Sequence, residues 1–403
     1  MTVTRLRYLL HPREVTDRTS LQVLSVYRDH GVVPKESRSD NYNKTPEDIT
    51  RYQEVRVGDL VVNKMKAWQG SVGISAHRGI VSPDYLVCSV SPEVDSRFFH
   101  HVLRSAPLAS EFGARSKGIR PAQWRLYWED LAEIRVALPP LDEQRRIADF
   151  LDAETAWIEK LSIARQSQLI GLESLWCSRL AEEIRDQVRA YGWIPLRRVV
   201  ASVEQGWSPQ CHDVIAELDE WAVLKTSAVS SGEFAPLEHK KLPTGVEHDP
   251  RYVVADGDIL MTRGSGSPDH VGVATEAKTG GRRLLLSDLL YRIRLEPALS
   301  PGFVALALRS YPVRELMGLL FRGQSGQTIK LRVEDVRSIE IPATPAKMQA
   351  GMADELAAEQ AAIRRVRRSV EHSLSLLAER RQALITAAVT GEIDVTTARG
   401  VRA

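Results

Sequence analysis

An internal repeat is the feature that most constrains how this chain can fold. Residues 98–144 align with residues 303–349 without a gap, at an offset of 205 positions. Thirteen of the 47 aligned positions are identical, whereas unrelated sequences of ordinary composition give roughly three. Upstream the repeat continues with short gaps, so that "RYQEVRVGDLVV" from Arg51 aligns with "RYVVADGDILMT" from Arg251. The chain is therefore predicted to contain two copies of one structural module.

Each copy carries the pattern of a mixed module. Alternating apolar residues around a Gly-Asp turn predict short strands, and "SRFFHHVLRS" and "PGFVALALRS" predict a helix near the end of each copy. A chain of 403 residues is too long for one ordinary core. We therefore expect two α+β modules, each followed by a long helix.

A heptad pattern follows each copy in the same register. The seam residues that we predict are Ile147, Leu151, Ile158, Leu161, Leu172, Leu175, Met352, Leu356, Ile363, Val366, Val370, Leu377 and Leu384. A helix that is apolar along one narrow stripe needs another helix to cover that stripe. The simplest pairing joins the two helices into an antiparallel coiled coil, with the modules related by a pseudo-twofold axis. The alternative is that each amphipathic helix covers the core of its own module.

Composition excludes several classes of protein. The longest apolar runs fall far short of the ~20 residues that a membrane span needs, so we expect a cytoplasmic protein without a membrane partner. Three widely spaced cysteines without a CxxC pair predict neither a disulfide framework nor a zinc knuckle. The histidines show no metal-site spacing. The net charge is only +2, so nucleic-acid binding would need local basic patches.

Catalytic motifs are missing from the sequence. No GxxxxGK[ST] phosphate loop indicates a motor. The "SPDY" string from Ser82 lacks the amide side chain that an adenine methyltransferase uses to hold a flipped base. The "GSGS" string from Gly264 is typical of a flexible tip rather than of a methyl-donor site. We therefore predict that the chain is not an enzyme by itself and binds no metal or cofactor.

Three stretches resemble one known family. The "YWEDLAEIRV" and "LPPLDEQRRIADFLDAETAWI" segments resemble the junction between the first target-recognition domain and the central helix of type I restriction-modification specificity subunits. The segment "GQSGQTIKLRVEDVRSIEIPATPAKMQAGMADEL" resembles the second junction, and "GWIPLRRVVASVEQGWSP" the opening of the second recognition domain. The resemblance covers essentially the full length.

The resemblance implies a function and a set of partners. Two recognition domains each read one half of a bipartite, asymmetric site in double-stranded DNA, and the paired helices set the gap between the half-sites. Methyltransferase subunits, expected in two copies, dock on the chain and bring S-adenosylmethionine and the adenine-methylating site. A restriction and translocase subunit can join them. The alternative is an enzyme or regulator whose duplicated modules bind a ligand other than DNA.

The resemblance also sets the predicted domains. The first target-recognition domain covers residues 1–140, the central helix 141–190 and the second target-recognition domain 191–345. The distal helix covers residues 346–392, and residues 393–403 form a C-terminal tail.

Candidate DNA-contact residues follow from comparing the two copies. Both modules must hold the DNA backbone, while base reading must differ between them. Positive charge is kept beside the Gly118 and Gly323 loops, and the candidates for phosphate contact are Lys117, Arg125, Arg322 and Lys330. The candidates for base contact are Arg120, Gln123, Gln324, Gln327, Lys64, Lys66, Gln69 and Arg263. The rival interpretation is that the phosphate candidates cap their loops or face the methylating partner.

Overall fold

The protein is described by a computed structural model that covers residues 2–28, 30–37, 45–119, 124–321 and 329–395. The chain divides into two compact units. The first unit consists of Met1–Gln166 with Glu371–Ala403, and the second consists of Ser167–Val370. Each unit therefore contains one copy of the repeat together with part of both long helices.

The first unit contains ten named strands within the described residues. They are β1 (Thr2–Arg5), β2 (Leu10–Pro12), β3 (Leu24–Tyr27), β4 (Gly31–Pro34), β5 (Gln53–Val55), β6 (Leu60–Asn63), β7 (Val72–Ile74), β8 (Gly79–Val81), β9 (Tyr85–Val90) and β10 (Arg135–Leu138). Its helices are α1 (Ser96–Leu103), α2 (Ala106–Arg115), α3 (Trp128–Ala132) and the start of α4 (Leu141–Tyr191). The main sheet has the order β2-β9-β6-β7, and all its pairs are antiparallel.

The second unit contains a similar series of elements. Its strands are β11 (Trp193–Pro195), β12 (Val200–Gln205), β13 (Trp221–Leu224), β14 (His239–Lys241), β15 (Ile259–Thr262), β16 (Gly264–Ser265), β17 (Ala274–Glu276), β18 (Arg283–Leu285), β19 (Leu290–Leu295), β20 (Ile329–Lys330) and β21 (Glu340–Pro342). Its helices are α5 (Ser227–Ser230), α6 (Pro301–Arg309), α7 (Tyr311–Gly318), α8 (Val333–Ser338) and the start of α9 (Ala346–Thr390).

The main sheet has the same strand order in the two units. The second main sheet has the order β12-β19-β15-β17, which matches the order in the first unit strand for strand. In both units the first strand pairs antiparallel with the last, β1 with β10 and β11 with β21. The central strands β6 and β15 are buried because both faces of the sheet are covered, one by α1 or α6 and the other by a smaller apolar cluster. The duplication predicted from sequence is thus a duplication of fold.

A buried glutamine joins each module to its long helix. Gln144 accepts a hydrogen bond from the backbone N–H of Asp95 at the start of α1 and donates to the carbonyl oxygen of Pro139. Gln349 makes the same two bonds in the second unit, to the N-terminal cap of α6 and to Thr344. Both side chains are almost fully buried. A buried amide with both ends paired is costly to replace, which explains why this position is identical in the two copies.

The two long helices pair antiparallel within each unit. In the first unit, Ile147 and Leu151 near the start of α4 share an apolar cluster with Ile385 and Val389 near the end of α9. Further along α4, Glu159 lies 3.8 Å from Arg381. The contacts move toward the C-terminus of α4 as they move toward the N-terminus of α9, so the two helices are antiparallel here.

The second unit shows the same antiparallel order. Arg367 of α9 lies 3.5 Å from Glu173 of α4, and Glu359 lies 3.2 Å from Arg179. Closer to the module, the Tyr191 hydroxyl lies 3.3 Å from the sulfur of Met348. Each unit thus contains one α/β module and an antiparallel pair of segments from the two long helices, as the predicted fold class requires.

Burial along the helices tests the heptad register. Five of the predicted seam residues are buried: Ile147, Leu151, Ile158, Leu356 and Val370. Six others are partly buried: Leu161, Leu172, Met352, Ile363, Leu377 and Leu384.

The seam prediction is wrong at two positions. Leu175 is 59% exposed, because the buried position after Leu172 comes four residues later, at Trp176, instead of three. Val366 is 44% exposed, since the contact at this turn of α9 is polar and is made by Arg367 to Glu173.

Within the described residues, no helix combines the length and the apolar character that a membrane crossing requires.

Candidate functional site

Three segments of the first module meet at the end of β6. The backbone N–H of Lys64 donates to the carbonyl oxygen of Asp84 over 3.1 Å, and the N–H of Leu126 donates to the carbonyl oxygen of Lys64 over 2.9 Å. β6 pairs with β9, so the turn before β9 is held against the tip after β6. Residues that are about 20 and 60 positions apart in sequence are thereby brought to one surface.

Two phosphate candidates of the first module lie at this surface and are held in ion pairs. The backbones of Lys117 and Arg125 form a two-bond antiparallel bridge, with 2.9 Å for each bond. The Lys117 ammonium lies 2.7 Å from a carboxylate oxygen of Asp130, and the Arg125 guanidinium lies 3.3 Å from that of Asp84. Exposed pairs of this kind contribute about 0–1 kcal/mol. They can therefore be exchanged for contacts to a phosphate.

The second module forms the same junction. The N–H of Arg263 donates to the carbonyl oxygen of Leu289 over 2.9 Å, and the N–H of Leu331 donates to that of Arg263 over 3.0 Å. Lys330 pairs with Gly264 through the short β16–β20 ladder, and its side chain is exposed. The same backbone bonds make Lys64 and Arg263 structurally equivalent. The offset of 205 positions does not align them, because a short gap lies between them and the main repeat.

Arg263 has a polar atom that is buried without a partner. Its side chain is half-buried, and among the described residues its Nε has no hydrogen-bond acceptor. A buried guanidinium nitrogen costs free energy until it is paired. The backbone of Arg263 lies next to the Gly264–Lys330 pair, so two cationic residues come close together at this junction.

The other base candidates divide into two groups. Lys66 and Gln69 are exposed and lie at the 3-10 turn that follows β6, so they extend the surface formed by Lys64. The Lys64 ammonium donates to the carbonyl oxygen of Pro83 over 2.7 Å, which directs it toward the turn before β9. The remaining base candidates lie outside the described residues: Arg120, Gln123, Gln324 and Gln327. The phosphate candidate Arg322 lies outside them as well.

Trp68, at the same tip, is used for packing. Its indole N–H donates to the carbonyl oxygen of Met65 over 3.1 Å, and its ring contacts Trp124 edge-to-face with a centroid distance of 5.6 Å. The ring is half-buried. Trp68 therefore fixes the shape of the tip that carries Lys64.

Asp84 and Leu289 are surface residues of this site that the sequence comparison did not select. Both occupy the turn whose carbonyl oxygen accepts the hydrogen bond from the tip. A signal existed, because the offset of 205 pairs them directly and shows a carboxylate replaced by an isobutyl group. It was missed because nothing in the sequence places this turn next to Lys64 or Arg125.

A cavity of about 590 Å³ lies elsewhere in the first unit, between α1 and the helix pair, and it is lined by both apolar and charged side chains. The His101 ring lies 3.0 Å from a carboxylate oxygen of Asp152, and the Arg97 guanidinium lies 3.1 Å from its other oxygen. These bonds hold the pKa of Asp152 below its ordinary value. Within the described ranges, no group of acidic, histidine and cysteine side chains has the arrangement of a metal site. The bonds of Arg97 and His101 to Asp152 join α1 to α4.

Comparison with known proteins finds similarity to one kind of subunit. No family model matches the chain. It is 31% identical over 159 residues to the EcoEI specificity subunit of type I restriction enzymes from Escherichia coli, a match that spans 39% of this chain and 27% of that protein. It is 24% identical over 377 residues to the EcoKI specificity subunit from Escherichia coli strain K12, which spans 86% of this chain and 77% of that protein. The chain is thus similar to specificity subunits of type I restriction enzymes.

The fold likeness to a type I system covers nearly the whole chain. A solved structure described as "Structural basis underlying complex assembly and conformational transition of the type I R-M system" contains a chain that is 15% identical to this one. It covers 97% of this chain and 98% of its own length, with a TM-score of 0.69. The resemblance to specificity subunits that the junction motifs predict is confirmed by the two Escherichia coli proteins. The predicted fold class is confirmed by the likeness to the solved structure.

Proposed function

We propose that this chain is the DNA sequence-specificity subunit of a type I restriction-modification complex. One observation carries the proposal. Each module presents a cation, Arg125 or Lys330, beside a second cation at the tip of its central hairpin, Lys64 or Arg263, and the same backbone bonds set both pairs. A pair of basic groups repeated in two modules is suited to two segments of a DNA backbone.

The differences between the modules support a bipartite and asymmetric site. The cations are shared, while the side chains around them differ, so the two modules would hold DNA alike and read it differently. In this proposal the paired helices set the gap between the half-sites. The likeness to specificity subunits does not favour the alternative of an enzyme or regulator for a ligand other than DNA.

The chemistry belongs to the partners in this proposal. Two methyltransferase subunits would bind the chain and methylate adenine with S-adenosylmethionine, which this chain does not bind itself. A restriction and translocase subunit would join the same scaffold. We place the complex in the cytoplasm, where its DNA substrate is accessible.

Methylome sequencing tests the proposal. The chain is expressed with its methylating partner in cells that lack both, and the partner expressed alone is the control. We expect a bipartite adenine motif that appears only when both proteins are present. An identical set of methylated adenines with and without the chain would overturn the proposal.

A further inference from the structure

One turn occupies the same place in both modules and carries different chemistry. In the first module the N–H of Tyr85 donates to the carbonyl oxygen of Ser82 over 3.0 Å, and in the second the N–H of Leu290 donates to that of Ser287 over 3.1 Å. The third residue of each turn accepts the bond from the hairpin tip through its carbonyl oxygen. That residue is Asp84 in the first module and Leu289 in the second, so the backbone places these two side chains equivalently.

Both side chains are available to a ligand. The Asp84 side chain is 52% exposed, and Leu289 is 42% exposed. In the second module the polar neighbour Asp288 is used internally, since its N–H and carboxylate both bond the Ser208 hydroxyl. This leaves Leu289 as the residue that the turn presents outward.

The turn also lies next to the groups that would hold a DNA backbone. The Asp84 carboxylate is 3.3 Å from the Arg125 guanidinium, and Leu289 is bonded through its carbonyl oxygen to Arg263, the neighbour of the β16–β20 ladder that contains Lys330. A position that is fixed relative to a phosphate contact is also fixed relative to the base edges beside it. Two half-sites of different sequence require residues that occupy the same position in each module and differ in their side chains.

We infer that Asp84 and Leu289 are equivalent specificity-determining residues, one for each half-site. Asp84 accepts a hydrogen bond from an exocyclic amine in the major groove, for which the cytosine N4 amine is the standard partner of a carboxylate. Leu289 contacts the methyl group of thymine, the apolar feature of that groove. The inference rests on the proposed function, and it adds to it the residue and the base class at one position of each half-site.

Ion pairing alone does not account for the two residues. An exposed Asp–Arg pair contributes about 0–1 kcal/mol, so the contact to Arg125 gives Asp84 only a weak structural role. Leu289 has no charge to pair, and leaving an isobutyl group in water brings no stability to the free chain. Base contact explains both the exposure and the difference in chemistry.

The test is the methylated motif of variant complexes. Asp84→Asn and Leu289→Ala are each expressed as full chains with the methylating partner, and the motif is read by methylome sequencing. We expect Asp84→Asn to reduce the preference for one base by roughly five-fold to a hundred-fold at a single position of one half-site. We expect Leu289→Ala to reduce the preference for thymine at one position of the other half-site.

Matched controls separate this effect from general weakening. Asp142→Asn removes an exposed Asp–Arg pair of 3.4 Å on α4, and Leu319→Ala truncates a leucine that is 83% exposed in the same unit as Leu289. Both controls should leave every letter of the motif unchanged. Copurification of each variant with the partner at the wild-type yield shows that the chain is folded.

The outcomes distinguish the inference from the proposed function. A bipartite wild-type motif that both variants leave unaltered, or whose methylation they lower uniformly at all positions, overturns the inference alone. Failure of the wild-type chain to direct any bipartite motif overturns the proposed function and the inference together.

Discussion

Single positions in this chain are conserved or changed between the copies according to what they contact. Gln144 and Gln349 are identical because each is buried and its amide bonds two backbone groups, one as an acceptor and one as a donor. Arg125 and Lys330 keep only their charge, and the contact to a DNA backbone that we propose for them depends on charge rather than on shape. Asp84 and Leu289 share a backbone place and nothing else. A side chain that bonds buried backbone groups is thus the same residue in both copies, whereas the more exposed cationic positions keep only their positive charge.

Substitution of Lys330 tests its assignment to the DNA backbone. We expect Lys330→Ala to weaken binding of all duplexes alike and to lower the slope of log K against log salt by about one. The measurement is a salt titration of fluorescence anisotropy with a cognate and a scrambled duplex, with the exposed Lys347→Ala on α9 as the control. A loss confined to the cognate duplex would show that Lys330 reads bases instead.

His100 makes the stability of the first unit depend on pH. Its Nδ1 accepts a bond from the Ile74 N–H, and burial together with the nearby Arg104 charge lowers its pKa from 6.5 to about 3. Between these two values the unfolded chain binds a proton that the folded chain does not, so stability falls as pH falls below 6.5. The slope contributed by this group is at most about 1.4 kcal/mol per pH unit.

Denaturant unfolding between pH 7 and pH 5 measures this contribution. We expect a steeper loss of stability in the wild-type chain than in His100→Gln, which keeps a polar group but cannot titrate. Equal slopes for the two chains would show that the ring is already accessible to a proton in the folded state.

At the scale of elements, the same strand order recurs in both units even where few side chains are shared. β6 and β15 lie between equivalent neighbours, and the short strands β3 and β13 each pair antiparallel with the strand that follows them in sequence. The long helices use the heptad for part of their length and depart from it where a polar contact or a tryptophan intervenes. Helix pairing therefore depends on particular buried residues rather than on the repeat as a whole.

Two adjacent residues of α4 provide a direct test of this register. Trp176 is 8% exposed and packs in the core of the second unit, while Leu175 is 59% exposed. We expect Trp176→Ala to destabilise the second unit by about 3–5 kcal/mol and Leu175→Ala to change stability by no more than about 0.5 kcal/mol. Denaturant unfolding of the full chain measures both. A comparable loss of unfolding free energy in the two variants would show that Leu175 is buried and that the heptad is regular at this turn.

For the whole molecule, the proposed function assigns the helix pair the role of a spacer. Insertion of seven residues into each long helix, within the segments that pair with each other, keeps the heptad and adds about 10 Å. One base pair extends a duplex by about 3.4 Å. We expect the methylated motif to keep both half-sites and to gain about three base pairs between them. An unchanged gap, with methylation intact, would show that the helices do not set the spacing.

The sequence by itself determined the duplication, the two long helices and the charges kept beside the Gly118 and Gly323 loops, because these depend on spacing along the chain. It did not predict that Lys64, Asp84 and Arg125 share one surface. These residues meet only through the pairing of β6 with β9 and through backbone bonds between segments far apart in sequence. Tertiary packing also decided that Trp176 and not Leu175 is buried. Periodicity sets which face of an element is apolar, whereas long-range register sets which residues of different elements come into contact.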